Sequence, residues 1–257
     1  MLSLLFQIFR SPWYIDAGFA ANAGVLVKNM LEGKVAFDST QLKPEAYSTI
    51  LCENSESSFN VGVINISGVL MKEDKNCGPA GMDTIGEWVK ELDNNPNVSC
   101  IILKFNTPGG TVSGTESLGK IIKNCNKPTI AFVDEMACSA GYWLASQCNH
   151  IFASTNRSEV GNIGVMINFM DVQPIWEKEG AVFHEIYSTL SSKKNKRYAD
   201  LLKGNYEPII KDVLDPLATD FINVVTSTRT ITKKEALEGE TGAGVGAVQH
   251  LDLLGNL

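Results

Sequence analysis

The sequence predicts an α/β fold in which mostly parallel strands alternate with helices. Three segments are rich in β-branched and other apolar residues, as expected for buried strands: 61–71, 99–105 and 127–135. The segments between them, 82–96 and 111–125, carry apolar residues at helical spacing. This β, α, β, α, β order indicates parallel strands joined by right-handed crossovers, with flanking helices. Functional sites of such folds collect in the loops at the C-terminal ends of the strands.

The downstream segments extend this pattern. Segments 149–156 and 160–169 are short strand candidates, and the polar segment 188–208 is interpreted as a surface loop that enters a helix. Residues 209–229 predict a long amphipathic helix with a break near Pro216, because proline cannot continue the hydrogen bonds of a helix interior.

The order of segments also suggests two parts. Residues 1–58 end in a Ser-rich stretch at 53–58, which we interpret as a linker, so that 59–257 form the main domain with its C-terminal helices. The chain opens with an apolar run at 1–9, which is too short to span a bilayer and lacks the preceding positive charge of a secretory signal. We expect this run to form a helix that docks on the protein itself or on a neighbouring subunit.

Composition narrows the classes of function. The 257 residues are 44% hydrophobic and 20% charged, which suffices for the core of one large domain. The formal net charge of −7 gives no basic footprint, so nucleic acid is not the expected partner. The six cysteines have no C-x-x-C spacing, which indicates reduced thiols in a cytosolic protein and predicts no metal site.

A Gly-Gly turn is the first motif that could carry chemistry. The sequence Asn-Thr-Pro-Gly-Gly at 106–110 follows a predicted buried strand and opens a helix. Gly109 and Gly110 let the backbone approach a ligand and leave N–H groups free at the helix start, as is needed to hold an oxyanion. An ordinary strand-to-helix turn has the same signature, so this motif alone leaves both interpretations open.

A serine between small residues is the second motif. In Ala-Cys-Ser-Ala-Gly at 137–141, Ser139 again follows a predicted strand and opens a helix, where its hydroxyl can face a cleft while the next N–H donates to an oxyanion. Serine is also a common helix N-cap, so this motif is weak when taken alone. Both motifs, separated by one crossover, together favour a serine nucleophile. Cys138 is the competing nucleophile, but adjacent side chains at a sharp turn point in different directions.

The sequences TPGG (107–110) and ACSAGYWLAS (137–146) resemble the SPGG and ASGGYY-like motifs of the signal peptide peptidase A (protease IV) family. The resemblance runs from about residue 60 to about residue 230 and includes VGNIGV (160–165), which is similar to the family's GSIGV segment. It implies a Clp/crotonase-like fold of repeated ββα units, with mostly parallel strands and flanking helices. RSPWYID (10–16) is more similar to the phage and prophage branch, whose members process capsid or scaffold proteins.

The resemblance assigns roles to residues of both motifs. It implies that Ser139 is the nucleophile, that the N–H groups of Gly110 and Ala140 hold the oxyanion, and that no metal or cofactor is needed. It also implies a peptide substrate bound as an added strand along a cleft. This cleft would be lined by Gly109, Thr111, Val112, Gly161, Asn162, Ile163 and Gly164. Asn162 replaces the serine that the family usually has between the two glycines of GSIGV.

The general base is expected to be a lysine. A Clp-like histidine would fall at Gly164, and the three histidines of the chain, His150, His184 and His250, lie elsewhere. The family's lysine turn matches 185–200, where we favour Lys194 over Lys196 and Lys193. A lysine must be neutral to accept the serine proton, which requires burial near the cleft.

We therefore predict a cytoplasmic serine endopeptidase with a Ser/Lys dyad that assembles as a ring-like or dome-like homo-oligomer. The phage resemblance implies capsid, portal or scaffold proteins as partners, association with a procapsid, and no membrane span. Two alternatives stay open. One is a crotonase-like acyl-CoA enzyme on the same fold, and the other is a decayed peptidase domain that serves capsid assembly or scaffolding.

Overall fold

The computed structural model describes residues 13–15, 47–53, 58–74, 79–169, 171 and 173–238. Within these ranges a six-stranded sheet has the order β2-β3-β4-β6-β7, with β8 beside β6, and a separate two-stranded sheet joins β1 to β5. All pairs of the large sheet are parallel except β2 with β3. The strands are β1 (Trp13–Ile15), β2 (Ser48–Glu53), β3 (Ser58–Ser67), β4 (Val98–Thr107), β5 (Gly109–Thr111), β6 (Thr129–Cys138), β7 (His150–Ala153) and β8 (Glu159–Gly161).

Helices follow the strands as the apolar spacing predicts. They are α1 (Met82–Asn94), α2 (Val112–Lys123), α3 (Ala140–Ala145), α4 (Gln173–Lys178), α5 (Lys196–Leu202), α6 (Glu207–Ile209), α7 (Asp215–Thr228) and α8 (Lys233–Glu238), with a π-helical turn at Ile210–Leu214 between α6 and α7. Pro216 is the second residue of α7, directly after this π-helical turn, so the irregularity predicted near Pro216 lies just before the proline. No helix in the described ranges is long and apolar enough to cross a membrane.

The core lies mainly on one face of the parallel sheet. Ile101, Leu103 and Phe105 of β4 are fully buried there, whereas the intervening Ile102 and Lys104 are half-buried. On the opposite face the Lys104 amine pairs with the Asp134 carboxylate at 2.9 Å. The expectation that this strand is fully buried is therefore corrected: burial alternates along β4, and the face opposite the core carries an ion pair that remains partly exposed to solvent.

Two predicted boundaries look different in the structure. Strand β2 belongs by position to the segment 1–58, yet it pairs antiparallel with β3. The predicted boundary between residues 58 and 59 therefore falls inside β3, and the main sheet includes residues from both predicted parts. The strand predicted over 160–169 ends at Gly161, because Asn162 has a φ of 53° that an extended strand cannot accommodate. The predicted helix at 1–9 lies outside the described residues.

Helix α3 is fixed to the body of the protein from its C-terminal end. The guanidinium of Arg229, just beyond α7, donates to the carbonyl oxygens of Ala145, Cys148 and Asn149. The Ala145 carbonyl also accepts the Cys148 N–H at 3.1 Å, so the guanidinium adds a second donor to it. The ring of Trp143 in α3 also lies 5.1 Å from the ring of Phe221 in α7. Helix α7 therefore holds the short helix that follows Ser139.

Replacing Arg229 tests this anchor. Arg229→Met keeps an apolar stem but removes the donors to three carbonyls, and we expect the free energy of unfolding to fall by about 1.5–3 kcal/mol. The control Arg157→Met changes an exposed arginine and should have little effect. Urea denaturation measures both values, and equal stability of the two variants would contradict the assignment.

Candidate active site

Strand β5 is held against the backbone of Leu70. The Leu70 N–H donates to the Gly109 carbonyl at 2.9 Å, and the Thr111 N–H donates to the Leu70 carbonyl at 2.9 Å. Gly109 has a φ of 105°, which L side chains rarely adopt. A Cβ on Gly110 would lie 1.9 Å from the Leu70 carbonyl oxygen. Both glycines of the turn are therefore required, one for its conformation and the other for the close approach of Leu70.

The hydroxyl of Thr107 closes the turn that leads into β5. It donates to the Gly68 carbonyl at 2.6 Å and accepts the Gly109 N–H at 3.1 Å. Thr107 is fully buried, so both groups would otherwise lack solvent as a partner. Sequence reasoning missed this positioning residue. Its signal was a polar residue at the end of an apolar strand.

These contacts determine which way Gly110 faces. Along an extended strand, the N–H and carbonyl groups of successive residues point to opposite edges. The Gly109 carbonyl and the Thr111 N–H point to Leu70, so the N–H and carbonyl of Gly110 point to the other edge of β5.

Ser139 occupies a strained turn between β6 and α3. Its φ of 53° and ψ of −116° are unusual for a residue with a side chain. Its N–H donates to the Gly161 carbonyl at 2.7 Å, and its carbonyl accepts the Trp143 N–H at 2.9 Å. The hydroxyl has no hydrogen bond to another residue of the described ranges, and only 1% of the residue is exposed.

Close packing brings the two motifs together. Thr107 at the end of β4 is in register with Ala137 of β6, directly before the serine turn. A Cβ on Gly141 would lie 2.5 Å from the Thr107 methyl carbon, so only glycine fits at this point of α3. The Gly-Gly strand and the N-terminus of α3 with Ala140 therefore lie at the same end of the sheet, as predicted from sequence.

The residues predicted to line the substrate cleft fall into two groups. Thr111 is buried and its hydroxyl donates to the Ser113 carbonyl at 2.9 Å, while Val112 packs against the core. In the second group Gly161 accepts the Ser139 N–H, Ile163 is buried, and Asn162 and Gly164 are half-buried. Gly161 and Asn162 both have positive φ, at 112° and 53°. Asparagine tolerates this conformation better than most residues.

The surroundings of three cysteine thiols, those of Cys138, Cys148 and Cys125, bear on whether a thiol could be the nucleophile instead of Ser139. The Cys138 thiol lies 3.9 Å from the Glu159 carbonyl oxygen, directed toward β8. Burial raises the pKa of the Cys148 thiol to about 12 and that of Cys125 to about 11. These two cysteines are therefore thiols at neutral pH, which makes them poor nucleophiles and poor metal ligands.

The predicted lysines lie in an exposed turn. Lys193 and Lys194 are in the turn before α5 and Lys196 is its first residue, and all three are exposed. Within the described ranges, no hydrogen bond joins any of these amines to Ser139. His150 and His184 are also exposed, and His250 lies outside the described residues.

A serine on a strained turn between a parallel strand and a helix, beside a strand that presents a backbone N–H, is the arrangement of a serine hydrolase site. The fold that carries it is α/β with a mainly parallel sheet and flanking helices. The model of peptidase family S49 matches residues 122–246, which include Ser139 and Ala140.

Two curated relatives point the same way. Protease 4 of Haemophilus influenzae is 26% identical over 196 residues, which are 74% of this chain and 31% of that protein. Capsid assembly protease C of Escherichia phage lambda is 29% identical over 210 residues, 76% of this chain and 47% of that protein. A solved membrane-bound stomatin-specific protease is 14% identical with a TM-score of 0.45, covering 74% of this chain and 73% of that chain.

The family match and the two curated relatives confirm the resemblance to the protease IV family. Over residues 122–246 the chain is similar to the S49 peptidases, and the proteins that it resembles include phage proteins as well as bacterial protease 4. The chain spans less than half the length of both curated relatives described above.

Glycine and alanine at position 139 should reveal the strain in this turn. Both variants lose the hydroxyl, but glycine adopts a φ of 53° without the steric cost of about 1–3 kcal/mol. We expect Ser139→Gly to be at least as stable as Ser139→Ala in urea denaturation. At Ser146, which is buried in ordinary helical geometry, glycine should be the less stable variant by about 1 kcal/mol. The same order at both positions would argue against strain at Ser139.

Proposed function

We propose that this chain is a serine endopeptidase in which Ser139 attacks the peptide carbonyl. The observation that carries the proposal is the strained turn of Ser139, packed at the same end of the sheet as the outward-facing N–H of Gly110. Strained backbone of this kind persists where the surrounding structure enforces it, and it concentrates at active sites. The relatedness to S49 peptidases supports the same reaction class.

The chemistry follows from the positions of the backbone donors. The base takes the hydroxyl proton of Ser139 as Oγ bonds to the substrate carbonyl carbon, and the electron pair of the C=O π bond moves to the carbonyl oxygen. The N–H groups of Gly110 and Ala140 stabilise that oxyanion, since Ala140 begins α3 and its N–H has no acceptor within the helix. The amine leaves with a proton delivered by the base, and water then releases the acyl group by the reverse steps. No metal or cofactor takes part.

The base is proposed to be Lys194, with Lys196 and Lys193 as alternatives. A lysine that accepts the Ser139 proton has to lose its own proton first, and burial favours that loss. All three amines are exposed in the single chain. The dyad therefore needs a further surface, which covers one of these amines beside Ser139.

A second copy of the chain is the proposed source of that surface. The segment before the lysines exposes large apolar side chains that a solvated loop would not favour, with Ile186 and Leu190 each 94% exposed. Val182 and Phe183 in the same segment are 75% and 52% exposed. A homo-oligomer that buries this segment would bring the lysine turn out of solvent.

The proposed substrates are polypeptides that bind as an extended strand beside β5 and beside the segment 161–164. Two relatives are named capsid assembly protease C and head-tail preconnector protein GP5, which favours capsid, portal or scaffold proteins as substrates or partners. Action in the cytoplasm, in association with a procapsid, fits such substrates. The crotonase-like alternative gains no support, because the S49 match and the serine turn favour acyl transfer to Ser139.

A covalent probe tests the nucleophile. We expect a fluorophosphonate to modify the protein at Ser139, located by mass spectrometry of the digested adduct. Ser139→Ala should abolish labelling, whereas the neighbouring variant Cys138→Ala should be labelled like the parent protein. An adduct on another residue, or no adduct in folded protein, would remove Ser139 from the mechanism and favour a non-catalytic assembly role.

Three single substitutions test the base. Lys→Met retains the apolar stem and deletes the amine, so Lys194→Met should lower peptidase turnover by roughly 10²–10⁴-fold. Lys193→Met and Lys196→Met serve as matched controls in the same turn. Loss at Lys196 with full activity at Lys194 would move the base by two residues. Wild-type turnover in all three variants would exclude the Ser/Lys dyad.

A further inference from the structure

The N-terminal strand β1 lies on the edge of β5 that faces away from Leu70. Trp13, Tyr14 and Ile15 pair antiparallel with Thr111, Gly110 and Gly109, in that order. Leu70 already uses the Gly109 carbonyl and the Thr111 N–H. The free edge of β5 is thus occupied by a segment of the same chain.

The register identifies the groups that face each other. Because the N–H and carbonyl of Gly110 both point to this edge, Tyr14 is the residue whose backbone groups face them. In such a pair the Gly110 N–H donates to the Tyr14 carbonyl, and the Tyr14 N–H donates to the Gly110 carbonyl. The Tyr14 carbonyl therefore lies where the oxyanion donor of Gly110 would receive a substrate carbonyl.

We propose that the segment Trp13–Ile15 is an intramolecular occupant of the substrate edge, which must leave before a polypeptide substrate binds. This inference rests on the proposed function, because it takes the Gly110 edge to be the substrate-binding edge. The site selects an extended peptide through main-chain hydrogen bonds, and the chain itself supplies such a peptide. While β1 occupies this edge, the basal activity is low. Release of β1 raises the activity.

Burial at the site agrees with an occupied cleft. All three residues of β5 are buried, with β1 along one edge and Leu70 along the other. Ser139 is 1% exposed, so a reagent or substrate cannot reach it without movement of neighbouring residues. Release of β1 from β5 is the movement that frees both edge groups of Gly110 at once.

The experiment compares Tyr14→Pro with Tyr14→Ala in the full chain. Both variants lose the phenol ring, but only proline lacks the N–H that pairs with the Gly110 carbonyl. The first readout is deuterium uptake at the amides of 109–112, which should be faster in Tyr14→Pro. The second is the rate of fluorophosphonate labelling at Ser139, which should be roughly 5–10-fold higher in Tyr14→Pro, as expected for loss of one ladder hydrogen bond. A synthetic peptide of residues 10–16 should slow labelling of Tyr14→Pro.

The outcomes separate this inference from the proposed function. Equal labelling rates in the two variants, with labelling still at Ser139, would overturn the inference and leave the peptidase proposal intact. Faster deuterium uptake without faster labelling would mean that β1 pairs with β5 but does not obstruct the site, which also overturns it. Absence of labelling in both variants and in the parent protein would instead reject the serine mechanism, and the inference with it.

Discussion

The pair of hydrogen bonds between Leu70 and β5 is the constraint on which the rest of the site depends. By engaging the groups on either side of Gly110, it turns the N–H and carbonyl of Gly110 toward the opposite edge. The same approach leaves no space for a side chain at Gly110. The Thr107 hydroxyl then fixes the turn that precedes the strand. One backbone contact thereby orients the Gly110 N–H, explains why position 110 is a glycine and leaves the opposite edge of β5 to pair with β1.

The serine turn depends on a comparable set of contacts. Ser139 keeps its positive φ because its N–H donates to the Gly161 carbonyl and its carbonyl accepts the Trp143 N–H. Arg229 and Phe221 contact α3 and hold it in place. Packing of Gly141 on the Thr107 methyl joins this turn to the first one. The strain at Ser139 is thus supported by contacts from β8, α7 and the end of β4, none of which involves the serine hydroxyl.

The sequence predicts this arrangement unevenly. Apolar spacing suffices to predict the β, α, β order and the positions of the turns. The buried residues of β3, β4 and α1 recur at intervals that are visible within each segment of the sequence. Gly109 and Ser139 stand out because their turns follow apolar strands directly. Thr107 and Arg229 could not be identified, since their partners lie far away in sequence: Gly68 for one, Ala145 and Cys148 for the other. The partial exposure of one face of β4 could not be predicted, because Ile102 on that face is apolar although it is only half-buried.

The position of the lysine turn and the pairing of β1 with β5 both differ from what the proposed mechanism requires of an active site. Gly110 and Ser139 are fixed by the fold of a single chain. In contrast, the lysine turn is exposed, and the edge of β5 that faces away from Leu70 is paired with β1. A desolvated lysine and a vacant strand edge are both conditions of the proposed mechanism. If a second copy covers the apolar segment around Ile186 and Leu190, assembly supplies the first condition. Release of β1 would supply the second, so the proposed mechanism depends on two separate contacts outside the two turns that carry Gly110 and Ser139.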